Sequence, residues 1–443
     1  MVRRTAPIRR AAALVALALA APLGAVTVAV TTASPAAAAP LHTLVNPTFE
    51  GTTGWSESTG PGTLASAPGR RGTGVRLTHS STSRAPVILN DTRNTVSRTV
   101  VGASYTATAW VRATVPTPVG IRLQEWASAK KGEAASTATL GTSWTLIGVN
   151  YVATTSGASL DLNVFAPSLP AGAALDVDDV TFRSRAPAWV DDFSGTALDP
   201  GAWTALNTST FGDGNLELAC LTSRSSNLAV DGGALALTAR REASPLACGS
   251  ADTRFPGGRD YSSAFIQTKG KKAFTYGRFA MRAKLPTAQG VSKGLWPGFW
   301  MRPVDGGVGE LDITEAIGSG GTGTPSTVEA TRVHQSIHYD YVPTHPMQKA
   351  VATFPTGSTP SNGLHTYAVE WDPGQIQWFV DGRLTQTRTT STTPWLATAF
   401  SRPMYLRLNL AVGGRWPGSP DDATAFPASY LIDAVSVHGP AIA

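Results

Sequence analysis

The sequence predicts an all-β chain of two β-sandwich domains, and three observations carry that prediction. At 443 residues the chain exceeds one ordinary domain. Its 44 glycines and 31 prolines, with abundant Thr and Ser, favour strands and turns over helices. Short runs of alternating apolar and polar residues recur in both halves, and no helical period of useful length does. A hydrophobic content of 42% supports packed cores rather than disorder.

Residues 1–39 read as a secretory signal. Arg3, Arg4, Arg9 and Arg10 form its charged region, Ala11–Val30 is apolar, and Ala36–Ala39 offers small-residue cleavage sites. No other stretch is long and apolar enough to span a bilayer, so a secreted, extracellular protein without a membrane partner is expected. The segment carries four arginines and no acid, so its removal lowers the formal charge from +6 to +2. The mature chain has no dense Lys/Arg stripe, which excludes nucleic acid as the expected partner.

The segment 41–184 opens with LVNPTFE and closes with LDVDDVTF. YTATAWVRA from Tyr105, SWTLIGVNYVAT from Ser143 and SLDLNVFAP from Ser159 read as strands of a jelly-roll sandwich. Strand alternation puts Arg122, Gln124 and Trp126 on one face, with Trp126 the candidate to stack on a sugar. Trp55, Trp110 and Trp144 sit in patterns that look like core. The junction at 183–189, RSRAPAW, is short enough to make the two domains close neighbours.

The segment 188–443 is organised around Trp296–Glu315, WPGFWMRPVDGGVGELDITE. Glu310 and Asp312 share a strand face by alternation, whereas Glu315 needs one extra residue, a β-bulge, to join them. Such a row raises the pKa of its members, so at least one acid is expected to stay protonated near neutrality. Glycoside hydrolysis uses that pairing of an ionised and a protonated carboxyl. FVDGR from Phe379 is a hairpin by the Asp-Gly rule. Cys220 and Cys248 suit a disulfide in an exported protein, closing a loop of about 27 residues and stabilising by roughly 3 kcal/mol.

GLWPGFWM followed by GELDITE resembles the signature of glycoside hydrolase family 16, in the bulged form E-x-D-x-x-E. WVDDFSGTALDPGAW, SIHYDY, LHTYAVEWDPGQIQWFVDG and YLRLNLAVGGRWPG extend the resemblance across the segment. It implies a concanavalin-like catalytic sandwich with a concave cleft, Glu310 as nucleophile, Glu315 as acid/base and Asp312 tuning both. It also implies sugar contacts from Trp296, Trp300, Asn409 and Trp416, and from His338 near the acid/base side. No cofactor is required for the chemistry. The first domain resembles jelly-roll carbohydrate-binding modules, in which a structural calcium often ties the first strand to the last. Glu50 and Asp178 or Asp179 are its candidate ligands there, and Asp192 and Asp433 those of a second calcium on the catalytic domain.

The family relation implies endo-acting, retaining hydrolysis of a β-1,3-glucan polysaccharide by a monomer. A galactan of the agarose or carrageenan kind and mixed-linkage glucan are alternatives within the same chemistry. A transglycosylase and a non-catalytic sugar-binding protein are alternatives outside it. Two departures stand out: Arg415 replaces the usual Asn of G-G-N-W-P-G, and Ala316 and Ile317 follow the third acid where an aromatic is common.

Overall fold

A computed structural model describes residues 42–442 except 59, 209–212, 249–253 and 319–325. The expected signal and most of the Gly/Thr/Ser-rich loop at 318–327 therefore lie outside the described residues. Among the described residues, helix is confined to Ser326–Glu329, Leu396–Ala399 and one short 3-10 turn. The rest is strand and turn, as the composition predicts.

Two large hydrophobic cores form, beside a small cluster of Ala280, Ala368 and Phe379. One runs from Phe49 to Phe182 and the other from Phe193 to Val437. In the first half, a five-stranded sheet orders the strands Trp55–Glu57, Ala85–Asp91, Ser159–Leu169, Thr117–Trp126 and Lys130–Leu140. It packs on strands that include Ser104–Ala113, Thr145–Val152 and Ala174–Arg185. Alternation sends Ala107, Ala109 and Val111 inward and Trp110 and Arg112 outward. Trp110 and Trp144 thus differ from the core placement expected of them. Each lies partly exposed beneath a guanidinium, Arg70 at 4.0 Å and Arg112 at 4.6 Å, which shields the indole where packing does not. Trp55 is buried in the core as expected.

In the second half, a seven-stranded sheet runs Thr204–Ala205, Phe265–Gln267, Met404–Val412, Leu295–Pro303, Glu310–Glu315, Arg332–His338 and Met347–Thr353. Its inner face packs against strands that include Gly277–Lys284, His365–Asp372 and Gln375–Val380. The Asp-Gly hairpin forms after Val380, with φ of 49° at Asp381 and 76° at Gly382, the left-handed pair a tight hairpin requires. Cys220 and Cys248 are disulfide-bonded with α-carbons 5.7 Å apart.

The short junction has a structural counterpart. One sheet of 15 strands runs through both halves, where Arg383 pairs with Val149 and the Asn150 N–H donates to the Gly382 carbonyl at 2.7 Å. Beneath this seam lies a buried charge cluster. Arg185 contacts Asp372 at 2.6 Å and Glu370 at 3.4 Å, Arg183 approaches Glu370 to 3.6 Å, and the Thr106 hydroxyl donates to Glu370. Burial alone would raise the Glu370 carboxyl, but Arg185 and Arg183 outweigh it and hold the group below its usual range. Removing one member of a buried ion pair leaves its partner charged in a poor solvent. Glu370→Ala is therefore expected to lower stability by about 3–5 kcal/mol, read as a lower urea midpoint at unchanged slope.

Candidate active site

The seven-stranded sheet presents its outer face to a groove of about 1000 Å³. Strand alternation fills it. Leu295, Phe299 and Met301 turn into the core, so Trp296, Gly298, Trp300 and Arg302 turn out. Val333 and Ile337 turn in, so His334, Ser336 and His338 line the groove. Gly298 leaves room between the tryptophans. A β-carbon there would lie 3.0 Å from the Asn409 carboxamide oxygen, which accepts the Trp300 indole N–H at 2.7 Å.

The acid strand carries the expected irregularity. Its register slips between Asp312 and Glu315 against one neighbour, and opposite Phe299 and Trp300 against the other. The slip brings Glu315 to the groove beside Glu310 and Asp312. Leu311 and Ile313 stay in the core. At the interruption, the buried Trp378 indole crosses from the opposing sheet and donates to the Asp312 carbonyl at 2.9 Å. A backbone acceptor at a break in the ladder thus keeps a donor.

Each carboxyl has its own surroundings. Burial raises Glu310 first and the Asp312 charge adds to it, so the group is pushed up to about 7. Against this act His338, the Tyr341 hydroxyl that donates to Glu310, and Arg302 at 3.7 Å. Glu315 lies well above the usual carboxylate range, through burial and then the charges of Asp312 and Glu310. The Trp296 indole N–H, 3.0 Å from its Oε1, opposes that rise. His338 places Nε2 3.2 Å from Asp312 and 3.9 Å from Glu310. The Asp312 contact is one of charge, since its Oδ2 makes no aligned hydrogen bond. Burial would lower His338, but Asp312, Glu310 and Glu315 raise it to about 9. The carboxyls around this half-buried imidazole thus favour its protonated form.

His338 lies opposite Glu310 and His334 opposite Glu315. This corrects one expectation, because the histidine on the Glu315 side is His334. The reversal follows from the antiparallel register, which spacing in one strand does not define. His334 bonds the buried Glu329 at 2.9 Å and meets the Trp416 ring edge-on at 4.8 Å. Trp416 in turn stands edge-on to Trp296 at 5.3 Å. Trp296, Trp300, His338, Asn409 and Trp416 all line the groove with the three acids. Trp126 belongs elsewhere, on the outward face of the five-stranded sheet. It is 38% exposed, while its neighbour Gln124 bonds Glu133 and Arg122 bonds Asn163.

Sequence reasoning missed Arg302, Tyr341 and Arg407. Alternation held a signal for two of them, since Arg302 follows Trp300 by two residues and Arg407 precedes Asn409 by two. Tyr341 sits in a loop, where no period applies. The Arg407 guanidinium lies 4.0 Å over the Trp300 ring.

The acids named for calcium have these partners in the structure. Asp179 is engaged by Arg70 at 2.9 Å, Asp433 by Arg282 at 2.6 Å, and Asp192 accepts the Ser194 N–H. Glu50 lies near the loop at Gly72. Among the described residues, Glu310, Asp312 and His338 are the set that brings three ligand-type groups together.

Comparison with known proteins places the chain. A family model for glycosyl hydrolases family 16 matches residues 216–432, and one for a carbohydrate binding domain matches residues 41–172. A "Beta-glucanase" of Rhodothermus marinus is 35% identical over 266 residues, which cover 56% of this chain and 84% of that protein. "Glucan endo-1,3-beta-glucosidase A1" of Niallia circulans is 33% identical over 307 residues, covering 63% of this chain and 40% of that protein. The solved endo-beta-1,3-glucanase of Pyrococcus furiosus is 30% identical over 58% of this chain and 95% of its own, with a TM-score of 0.49.

A raised histidine stabilises the fold only while protonated. The His338 contribution is present in full below about pH 6.5 and is lost as pH rises through about 9. His338→Gln is expected to flatten the fall in unfolding free energy across that window, measured by urea denaturation at stepped pH.

Proposed function

Because the chain belongs to glycosyl hydrolases family 16, we propose that it is a secreted, endo-acting, retaining hydrolase of β-1,3-glucan. The observation that carries the reading is the row Glu310, Asp312 and Glu315 along a tryptophan-lined groove, with Glu315 shifted well above the usual carboxylate range and Glu310 beside His338, Tyr341 and Arg302, which favour its ionised form. The choice of β-1,3-glucan draws on the names of the relatives. The segment at 41–172 acts as a sugar-binding module, with Trp126 as its exposed stacking ring.

In this mechanism a Glu310 oxygen bonds to C1 of the sugar as the C1–O bond to the leaving chain breaks. Glu315 passes its proton to the departing oxygen. A glycosyl-enzyme ester results. Water then bonds to C1, gives a proton to Glu315, and releases Glu310. Asp312 and His338 form a charge pair between the two acids, so Asp312 does not add an uncompensated charge as Glu310 is consumed. Trp296 aims the Glu315 carboxyl through its indole N–H, and Trp416 braces Trp296.

Reducing-sugar release from laminarin, lichenan and agarose tests this reading. Wild type is expected to act on laminarin, and Glu310→Gln and Glu315→Gln to lose about 10³-fold or more in kcat. NMR of the first product is expected to show the β-anomer. Activity on agarose alone would overturn the substrate, longer products would indicate transfer, and binding without turnover would indicate a lectin-like role.

A further inference from the structure

Glu310 must be ionised and correctly aimed to attack, yet burial and the Asp312 charge both work against its ionised form. The groups that face it come from four neighbouring elements. Asp312 and Glu315 share its strand, Arg302 and His338 come from the strands on either side, Arg407 stands one strand further, and Tyr341 reaches in from the loop after His338. Among the described residues, only Tyr341 makes an aligned hydrogen bond to the carboxyl. Its hydroxyl donates to Oε2, the same oxygen that Arg302 approaches at 3.7 Å. Oε1 is left with His338 at 3.9 Å, beyond hydrogen-bond reach.

Burial does not explain where Tyr341 points. The residue is 63% exposed, so packing contributes little to its orientation. Two other constraints set it. The Arg302 guanidinium lies 4.6 Å over the ring. The loop is also clipped shut: Asp340 accepts the Val342 N–H at 2.9 Å and contacts His345 Nδ1 at 2.7 Å, and Tyr339 N–H bonds the Pro346 carbonyl at 3.0 Å. A surface tyrosine is thus held with its hydroxyl inward, on the one carboxyl expected to attack.

We propose that Tyr341 is a positioning residue for Glu310: its hydroxyl, backed by Arg302, ties Oε2 in place and leaves Oε1 as the oxygen that attacks C1. The inference rests on the reading of Glu310 as nucleophile. A hydrogen bond to an ionised carboxylate favours that form, so losing it raises the pH at which Glu310 ionises.

The test is Tyr341→Phe in the full chain, which keeps the ring over Arg302 and removes only the hydroxyl. On laminarin, kcat is expected to fall about 10–100-fold near pH 6 with KM within about threefold of wild type. The acid limb of the pH profile is expected to move up by about one unit, and thermal unfolding to stay unchanged. An unchanged kcat and acid limb would overturn the proposal. So would a loss confined to KM, which would make Tyr341 a sugar contact, or a rise in kcat/KM, which would make it an obstruction. Glu310→Gln separates the two levels. If that variant stays active, the nucleophile assignment fails and the role of Tyr341 with it. If it is inactive while Tyr341→Phe behaves as wild type, only the role of Tyr341 fails.

Discussion

Three carboxyls in one row, in a groove that buries two of them almost completely, is the constraint on which the rest of this structure depends. Like charges at this spacing cannot all ionise without large cost. The surroundings settle the conflict unevenly. Arg302 and the Tyr341 hydroxyl oppose the rise at Glu310, whereas Glu315 has the neutral Trp296 indole N–H, and the His338 charge acts on both. The same row is thereby divided: both carboxyls are raised, but three groups oppose the rise at Glu310 and two at Glu315. That division is what acid and nucleophile need from a single strand.

Holding the row requires the whole sandwich. The register slip that carries Glu315 into the groove breaks the ladder, and Trp378 crosses from the opposing sheet to bond the Asp312 carbonyl. Gly298 keeps the space in which Trp300 bonds Asn409. The catalytic face is shaped by residues that never reach it, because Trp378 lies buried in the core between the sheets. On the far side, the sheet that backs the site continues into the first half through Arg383 and Val149. The buried Arg185–Glu370–Asp372 cluster lies under that seam. An ionic cluster so buried adds little net stability but tolerates no loss of one member. It suits a seam that must keep one geometry.

The calcium candidates show what chain position leaves open. Acids at matching chain positions suggested ligands, but a ligand set is a spatial cluster and not a set of positions. Arg70 and Arg282 supply the positive charge at Asp179 and Asp433. The first-domain tryptophans illustrate the same limit. Trp110 alternates with small apolar residues, and only the sheet pairing shows that the small residues form the core face.

By itself the sequence determined the all-β class, the hairpin at Asp381–Gly382, the pairing partners Cys220 and Cys248, and the row of acids with its need for a bulge. These follow from local rules, the two-residue period of a strand and the left-handed preference of Asp-Gly, which act between near neighbours. Tertiary structure alone decided which histidine faces which glutamate, because antiparallel register is set between strands. It also decided the partners of Glu310. Arg302 and Tyr341 reach that carboxyl from another strand and from a loop, through geometry with no period along the chain.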